Sequence, residues 1–144
     1  HAVTNGKILV FGGEQLRPNL NVKDVCRLYL ELLRLPSEKI QGETFNCGYQ
    51  NLSIMQIAEI VKKVVEKEFP DRAPITIETS ESDDIRSYHI NSDKIREKLG
   101  FIPQYSIEDA VRELCQAFRD NKITDSMNDD WYYNVRTMKK MDAQ

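Results

Sequence analysis

Cysteine and histidine are scarce in this 144-residue chain: it carries three cysteines and two histidines. Cys26, Cys47 and Cys115 are far apart and form no Cys-x-x-Cys pair. An odd, sparse count excludes a disulfide framework and points to a reducing compartment, read here as the cytoplasm. Each cysteine sits among apolar neighbours, so all three are expected as small buried hydrophobes. With only His1 and His89 available, a zinc site has little to draw on, and no metal is expected. No apolar run approaches the roughly 20 residues that cross a bilayer, and no leader pattern opens the chain, so no membrane contact is expected. Charge of one sign is lacking too. Lys and Arg total 20 against 23 Asp and Glu, a net charge of −3, and the two signs are interleaved, which disfavours a nucleic-acid partner.

The devices of nucleotide and acyl chemistry are also missing. Gly12-Gly13 follows an apolar run, but no third glycine completes Gly-x-Gly-x-x-Gly, and the pair reads as a plain turn. There is no Tyr-x-x-x-Lys pair, no Walker loop and no serine nucleophile elbow. No residue of this chain is expected to be catalytic. The opening His1-Ala2-Val3-Thr4-Asn5-Gly6-Lys7 reads as the end of a helix and a turn, so the chain is expected to be a piece of a longer protein.

What is present is ordinary for a folded domain: 40% hydrophobic and 30% charged residues. Ile8–Phe11 reads as a buried strand closed by Gly12-Gly13, and the polar residues 14–20 as a loop. Asn21 is an N-cap with Asp24 at N3. Val22, Val25, Cys26, Tyr29, Leu30 and Leu33 then mark the apolar face of a helix that ends by Leu35-Pro36. Glu43–Cys47 is a candidate strand. Ser53-x-x-Gln56 is a capping box, heading a helix with Ile54, Ile57, Ala58, Val61 and Val65 on its apolar face, which stops near Pro70. Pro74–Glu78 alternates as a strand, residues 79–84 form an acidic loop, and Tyr88-His89-Ile90 is a short extended piece. Ser92 caps a helix ended by Gly100. Ser106-x-x-Asp109 caps another, with Ile107, Ala110, Val111, Leu114, Cys115 and Phe118 on its face. The fold class is α/β, with few strands and about four helices, too few strands for a full doubly wound sheet. Residues 123–144 read as a tail, a short helix with a frayed end that its aromatics dock.

Two polar segments carry the candidate chemistry. Arg17 precedes the helix capped by Asn21, and a guanidinium beside free helix N–H groups suits a phosphate. Asp84 and Arg86 flank an extended piece, which by itself reads as a surface ion pair.

Taken in order, these segments resemble the extended short-chain dehydrogenases, the NAD-dependent nucleotide-sugar epimerases and dehydratases. Arg17-Pro18-Asn19-Leu20-Asn21-Val22-Lys23-Asp24 resembles that family's Arg-Pro/Asp-x-x-His-Val-x-Asp segment. Gly42–Gly48 resembles Gly-x-x-Phe-Asn-x-Gly, and Leu52–Ala58 resembles a Ser-Ile-x-x-Leu-Ala helix start. Asp84-x-Arg86-Ser87-Tyr88-x-Ile90 and Lys94–Pro103 resemble Asp-x-Arg-x-Tyr and Lys-x-x-x-x-Leu-Gly-Phe-x-Pro, and Ser106–Ala110 resembles the last helix. The match covers roughly residues 7 to 120.

The resemblance is to the C-terminal lobe alone. It implies a substrate-binding lobe over residues 1–122, with the N-terminal Rossmann lobe, its Gly-rich turn and its catalytic residues lying outside this chain. NAD or NADP would be bound by that other lobe, and none by this chain alone. The implied partners are a nucleotide-sugar substrate and the Rossmann lobe of the same protein, in a parent that is a homodimer. The residues implied to bind substrate are Arg17, Asn19, Asn21, Asp84, Arg86 and Tyr88, with Arg17 on the diphosphate. Two departures stand out. Asn21 replaces the family's His, and Glu81 stands where some members place an Arg, so the nucleotide-side contact must differ or rest on Arg86. The competing readings are a stand-alone non-catalytic binding module, or a lobe whose pocket no longer binds anything.

Overall fold

A computed structural model of the chain describes residues 1–84 and 86–142. Ile85, inside the expected Asp84–Arg86 loop, and the last two residues of the expected tail lie outside the described residues. The chain opens with a one-turn helix α1 (Ala2–Asn5), closed by Gly6 at φ 63°, where a side chain would be strained. This is the helix end and turn expected of that segment.

Strand β1 (Lys7–Phe11) pairs in parallel with β4 (Thr76–Ser80), in a register running from Lys7 opposite Thr76 to Phe11 opposite Ser80. A parallel pair needs a long crossover, and here the crossover is most of the fold. It holds β2 (Leu16–Asn19), α2 (Val22–Leu32), the short α3 (Ser37–Ile40), β3 (Gln50–Ser53) and α4 (Ile54–Glu68). A 3₁₀ turn at Pro70–Arg72 then ends the α4 run, as Pro70 led one to expect. After β4 come α5 (Asp93–Leu99) and α6 (Ile107–Arg119). The core gathers where α4 crosses α6: Val64 and Val65 meet Val111 and Cys115, with Ile75 and Ala2 beneath.

Both expected capping boxes are present. Ser53 Oγ accepts from Gln56 N–H while Gln56 Oε1 accepts from Ser53 N–H. Ser106 and Asp109 do the same for α6. Each box satisfies donors that the helix start would otherwise leave orphaned, worth about 0.5–2 kcal/mol.

Several expectations need correction. β1 is not buried through its length: Val10 is, but Leu9 and Phe11 are about half exposed, because a two-stranded sheet covered on one side leaves alternate residues bare. Residues 16–19 form a strand rather than a loop, paired antiparallel with β3 so that Arg17 faces Leu52 and Pro18 faces Asn51. The proline is tolerated because β2 has only β3 as a ladder partner, so one edge of the strand needs no N–H donor. Conversely, Glu43–Cys47 has no ladder. Its polar groups go to α5 instead: Lys94 Nζ donates to Thr44 O, and the same ammonium lies 5.1 Å from the Phe45 ring. Tertiary partners override strand propensity there. Ser92 makes no cap bond. Its Oγ bridges both backbone groups of Gly48, and Asn91 Oδ1 takes the N–H of Asp93. Gly100 does close α5, in the left-handed region. Of the cysteines, Cys115 is buried and Cys47 half-buried, and burial raises both thiol pKa values, but Cys26 is exposed.

The largest correction concerns α2. Its apolar stripe is real, yet it faces solvent: Val22, Tyr29 and Leu30 are exposed and Leu33 is 83% exposed. The inward face is set by Asp24, which is fully buried. Its two carboxylate oxygens accept the backbone N–H groups of Gln104 and Tyr105 at 2.9–3.0 Å and the Arg27 guanidinium at 2.9 Å. Arg27 in turn lies 4.8 Å over the Phe101 ring and donates to Ile102 O.

The tail forms a 3₁₀ turn (Asp130–Tyr132) and α7 (Asn134–Asp142). It closes on itself through Tyr133 Oη to Met127 O, Thr137 Oγ1 to Asp130 O, and an ion pair of Lys140 with Asp130. The expected docking by aromatics fails at Trp131, which is 82% exposed. No helix among the described residues is long and apolar enough to cross a membrane.

Two outcomes are expected. Asp24→Ala strands buried donors and should cost about 3–5 kcal/mol in urea unfolding. Glu113→Gln, which breaks the exposed Lys23 pair, should cost under about 1 kcal/mol; equal losses would mean that Asp24 does not anchor α2. The bare α2 stripe should make this 144-residue chain self-associate and bind a hydrophobic dye. The double variant Leu30→Glu/Leu33→Glu should suppress both, and a dye-silent monomer in sedimentation velocity would remove the patch from consideration.

Candidate functional site

The β2–β3 pair is the platform for the site. Segment 86–92 has no ladder of its own, but it is held along the platform: Tyr88 N–H donates to Leu16 O at 3.0 Å, and Leu16 N–H donates to Ser87 Oγ at 3.1 Å. This brings Asp84, Arg86 and Tyr88, almost seventy residues downstream, against Arg17.

Arg17 Nη1 donates to Leu16 O at 2.9 Å and to Arg86 O at 2.5 Å. Its Nη2 lies 3.6 Å from Asp84 Oδ2, and its guanidinium sits 5.2 Å from the Tyr88 ring centroid. Asp84 is more tightly engaged with Arg86, whose Nε and Nη2 reach its two oxygens at 2.7 and 3.0 Å. That two-pronged bond, more than Arg17, pulls the Asp84 pKa from 3.8 down to about 2. Asp84 in return raises the Arg86 pKa. Two guanidiniums thus share one carboxylate, a formal surplus of one positive charge among these three side chains.

The other two expected site residues stand apart from this cluster. Asn19 Nδ2 donates to Arg17 O at 2.7 Å and to Gln50 O at 3.3 Å, bracing β2 against β3. Asn21 Oδ1 accepts from Lys23 N–H, the expected cap. Both line a small pocket with Leu20, Gln50, Tyr105 and Ser106 between α2 and α6. The expected meeting of the Arg17 guanidinium with the α2 N-terminus does not occur among the described contacts. The guanidinium turns to Asp84, Arg86 and Tyr88, because Asp84 offers it a counter-charge and the start of α2 is already capped.

The Gly12-Gly13 turn fits no phosphate. Gly12 N–H is spent on Ser80 O and Gly13 N–H on Gln15 Oε1 at 2.6 Å; the Gln15 amide fills the space over Gly12, and Met55 and Val10 that over Gly13. Gln15 is itself buried and also donates to Phe11 O. Among the described residues no three His, Cys, Asp or Glu converge as metal ligands.

Residue patterns missed the side chains that attach segment 86–92 to its platform, Ser87 and Asn51, and the separate bridge from Ser92 to Gly48. The available signal was Asn and Ser in extended segments, where their short polar groups bond neighbouring backbone.

No protein-family model matches the chain. It is similar to the dTDP-glucose 4,6-dehydratase of Shigella flexneri, 30% identical over 139 residues, covering 92% of this chain and 36% of that protein. It is also similar to dTDP-glucose 4,6-dehydratase 1 of Escherichia coli K12, 31% identical over 123 residues, covering 81% and 33%. The chain therefore spans about a third of the length of these relatives, in their C-terminal part. Among solved structures, L-threonine dehydrogenase from Phytophthora infestans superposes with a TM-score of 0.68 at 12% identity, over 83% of this chain and 39% of that one. UDP-glucose 4-epimerase from Thermotoga maritima, solved with UDP-glucose, gives 0.62 at 23%, over 84% and 38%. dTDP-glucose 4,6-dehydratase from Bacillus anthracis, solved with NAD, gives 0.61 at 21%, over 82% and 36%. These likenesses establish the fold.

The Asp84 titration checks the electrostatics. Carbon-detected NMR should place its carboxyl midpoint near 2. Arg86→Ala should move it most of the way back towards 3.8, and Arg17→Ala by less. A larger shift from Arg17→Ala would reverse the order of the two contacts. Because the folded value is depressed, the pair supports folding above the ordinary carboxylate pKa, and that support fades as pH falls through about 2.

Proposed function

We propose that this chain, which has the sequence and fold of the C-terminal portion of an extended short-chain dehydrogenase/reductase, binds the diphosphate of a nucleotide sugar for a parent dehydratase or epimerase. The observation that carries this reading is the convergence of Arg17, Asp84, Arg86 and Tyr88 on one open, net positive cluster. With Arg17 Nη1 given to Leu16 O and Arg86 O, the Nε–Nη2 edge of its planar guanidinium is the fork that would match two phosphate oxygens. Tyr88 supports the fork from one face, and Asp84 holds Arg86 beside it. A diphosphate, with more charge than one carboxylate, competes with Asp84 for the two guanidiniums.

The chain's own glycine turn does not fit a dinucleotide, since Gln15 occupies it. NAD would therefore be held by residues outside this chain, and the hydride step would belong with them. The work of this lobe is orientation. Fixing the sugar nucleotide by its diphosphate turns a diffusive encounter at the reacting carbon into a positioned one, an effect that can be large. The bare α2 stripe would lie against the remainder of the same protein.

The dissociation constant of a nucleoside diphosphate for the parent protein tests the assignment. A charge-assisted bond is worth about 1.5–3 kcal/mol, so Arg17→Ala should weaken binding by roughly 10- to 150-fold. Arg17→Lys should recover only part, because an ammonium cannot make the paired contact. Arg86→Ala should lose less, since Asp84 already engages both of its prongs. Wild-type affinity in Arg17→Ala would reduce Arg17 to a surface charge and overturn the diphosphate site.

A further inference from the structure

Asn51 lies in β3, opposite Pro18 and one register step from the Arg17–Leu52 pair. Its side chain makes two bonds to a single residue: Nδ2 donates to Ile90 O at 3.0 Å, and Oδ1 accepts from Ile90 N–H at 3.1 Å. One amide thus serves both backbone groups of Ile90, as a neighbouring strand would. The Ile90 side chain is seated as well. A Cβ on Gly48 would come within 2.5 Å of Ile90 Cδ1, so that glycine is the space into which Ile90 packs. Ile90 is therefore a fixed point, two residues from Tyr88 and four from Arg86, the residues that meet the Arg17 guanidinium.

We propose that Asn51 is a positioning residue for this cluster: by clamping both backbone groups of Ile90 from the strand paired with β2, it sets the height at which the Arg86 carbonyl and the Tyr88 ring meet Arg17. Its consequence for binding rests on the diphosphate reading given above, whereas the positioning itself is measurable without ligand. The neighbouring bridge from Ser92 to Gly48 comes after Ile90 in the chain, whereas Arg86 and Tyr88 come before it, and it serves as the control.

The test uses the parent protein with labelled arginine and three variants: Asn51→Ala, Asn51→Asp and Ser92→Ala. Asn51→Asp keeps the acceptor for Ile90 N–H but turns an oxygen towards Ile90 O, so it carries the same readings if Asn51→Ala does not fold. Both Asn51 variants should move the Arg17 guanidinium resonance towards that of a free arginine, and Ser92→Ala should leave it in place. Asn51→Ala should weaken nucleoside diphosphate binding by about 5- to 10-fold in the wild-type background and by less than about twofold in Arg17→Ala, the non-additivity of residues that act through one another. An unmoved Arg17 resonance in the Asn51 variants, an equal movement in Ser92→Ala, or equal losses in both backgrounds would each overturn the proposal. A moved resonance combined with normal diphosphate binding by Arg17→Ala would keep the positioning role and overturn the diphosphate reading instead.

Discussion

Asp24 is a carboxylate with no exposed surface, and such a group is tolerable only when its oxygens are met by donors. The structure meets them with two backbone N–H groups of the 104–105 connector and the Arg27 guanidinium. That requirement ties the first turn of α2 to the stretch leading into α6, eighty residues later. It also fixes the roll of α2 about its axis. With Asp24 pointed inward, the stripe of Val22, Tyr29, Leu30 and Leu33 must point out. The same roll places the Asn21 cap and the end of β2 beside the start of α6, where Gln50 Oε1 accepts from Ile107 N–H.

The candidate site follows a second constraint, the pairing of short extended pieces too short to form a sheet. β2 and β3 offer four residues each, and segment 86–92 joins them through side chains more than through main chain. Ser87 and Asn51 each stand in for a missing peptide group. The arrangement brings Arg17 to Asp84, Arg86 and Tyr88 without burying any of them, so the cluster stays open while its backbone is held. This balance of fixed backbone and exposed side chains suits the diphosphate binding proposed above.

The positions of charge and of apolar surface divide the labour between this chain and the rest of its parent. The polar cluster sits on the β2–β3 platform, and the bare apolar stripe sits on α2. The glycine turn after β1 is occupied by Gln15, whose amide accepts from Gly13 N–H and donates to Phe11 O.

Local signals were legible wherever a few adjacent residues decide the outcome. Ser53 with Gln56, Ser106 with Asp109, Asn21, Gly100 and Pro70 mark their helix ends because capping and φ preference act within one turn. The order of motifs pointed to the C-terminal lobe because spacing along the chain survives when individual residues change. The strand at 16–19, the absence of one at 43–47 and the outward face of α2 were not legible, since each depends on a partner far away in sequence: β3, α5 and the 104–105 connector. Arg17, Asp84, Arg86 and Tyr88 could be named one by one, but their meeting was decided by Asn51 and Ser87, whose bonds span 39 and 71 residues. The sequence by itself determined the caps of α2, α4 and α6, the stops at Pro70 and Gly100 and the order of the motifs. Only the tertiary structure decided which faces are buried and which of the candidate site residues touch, because a buried carboxylate and a borrowed backbone partner act through space and leave no periodicity in the chain.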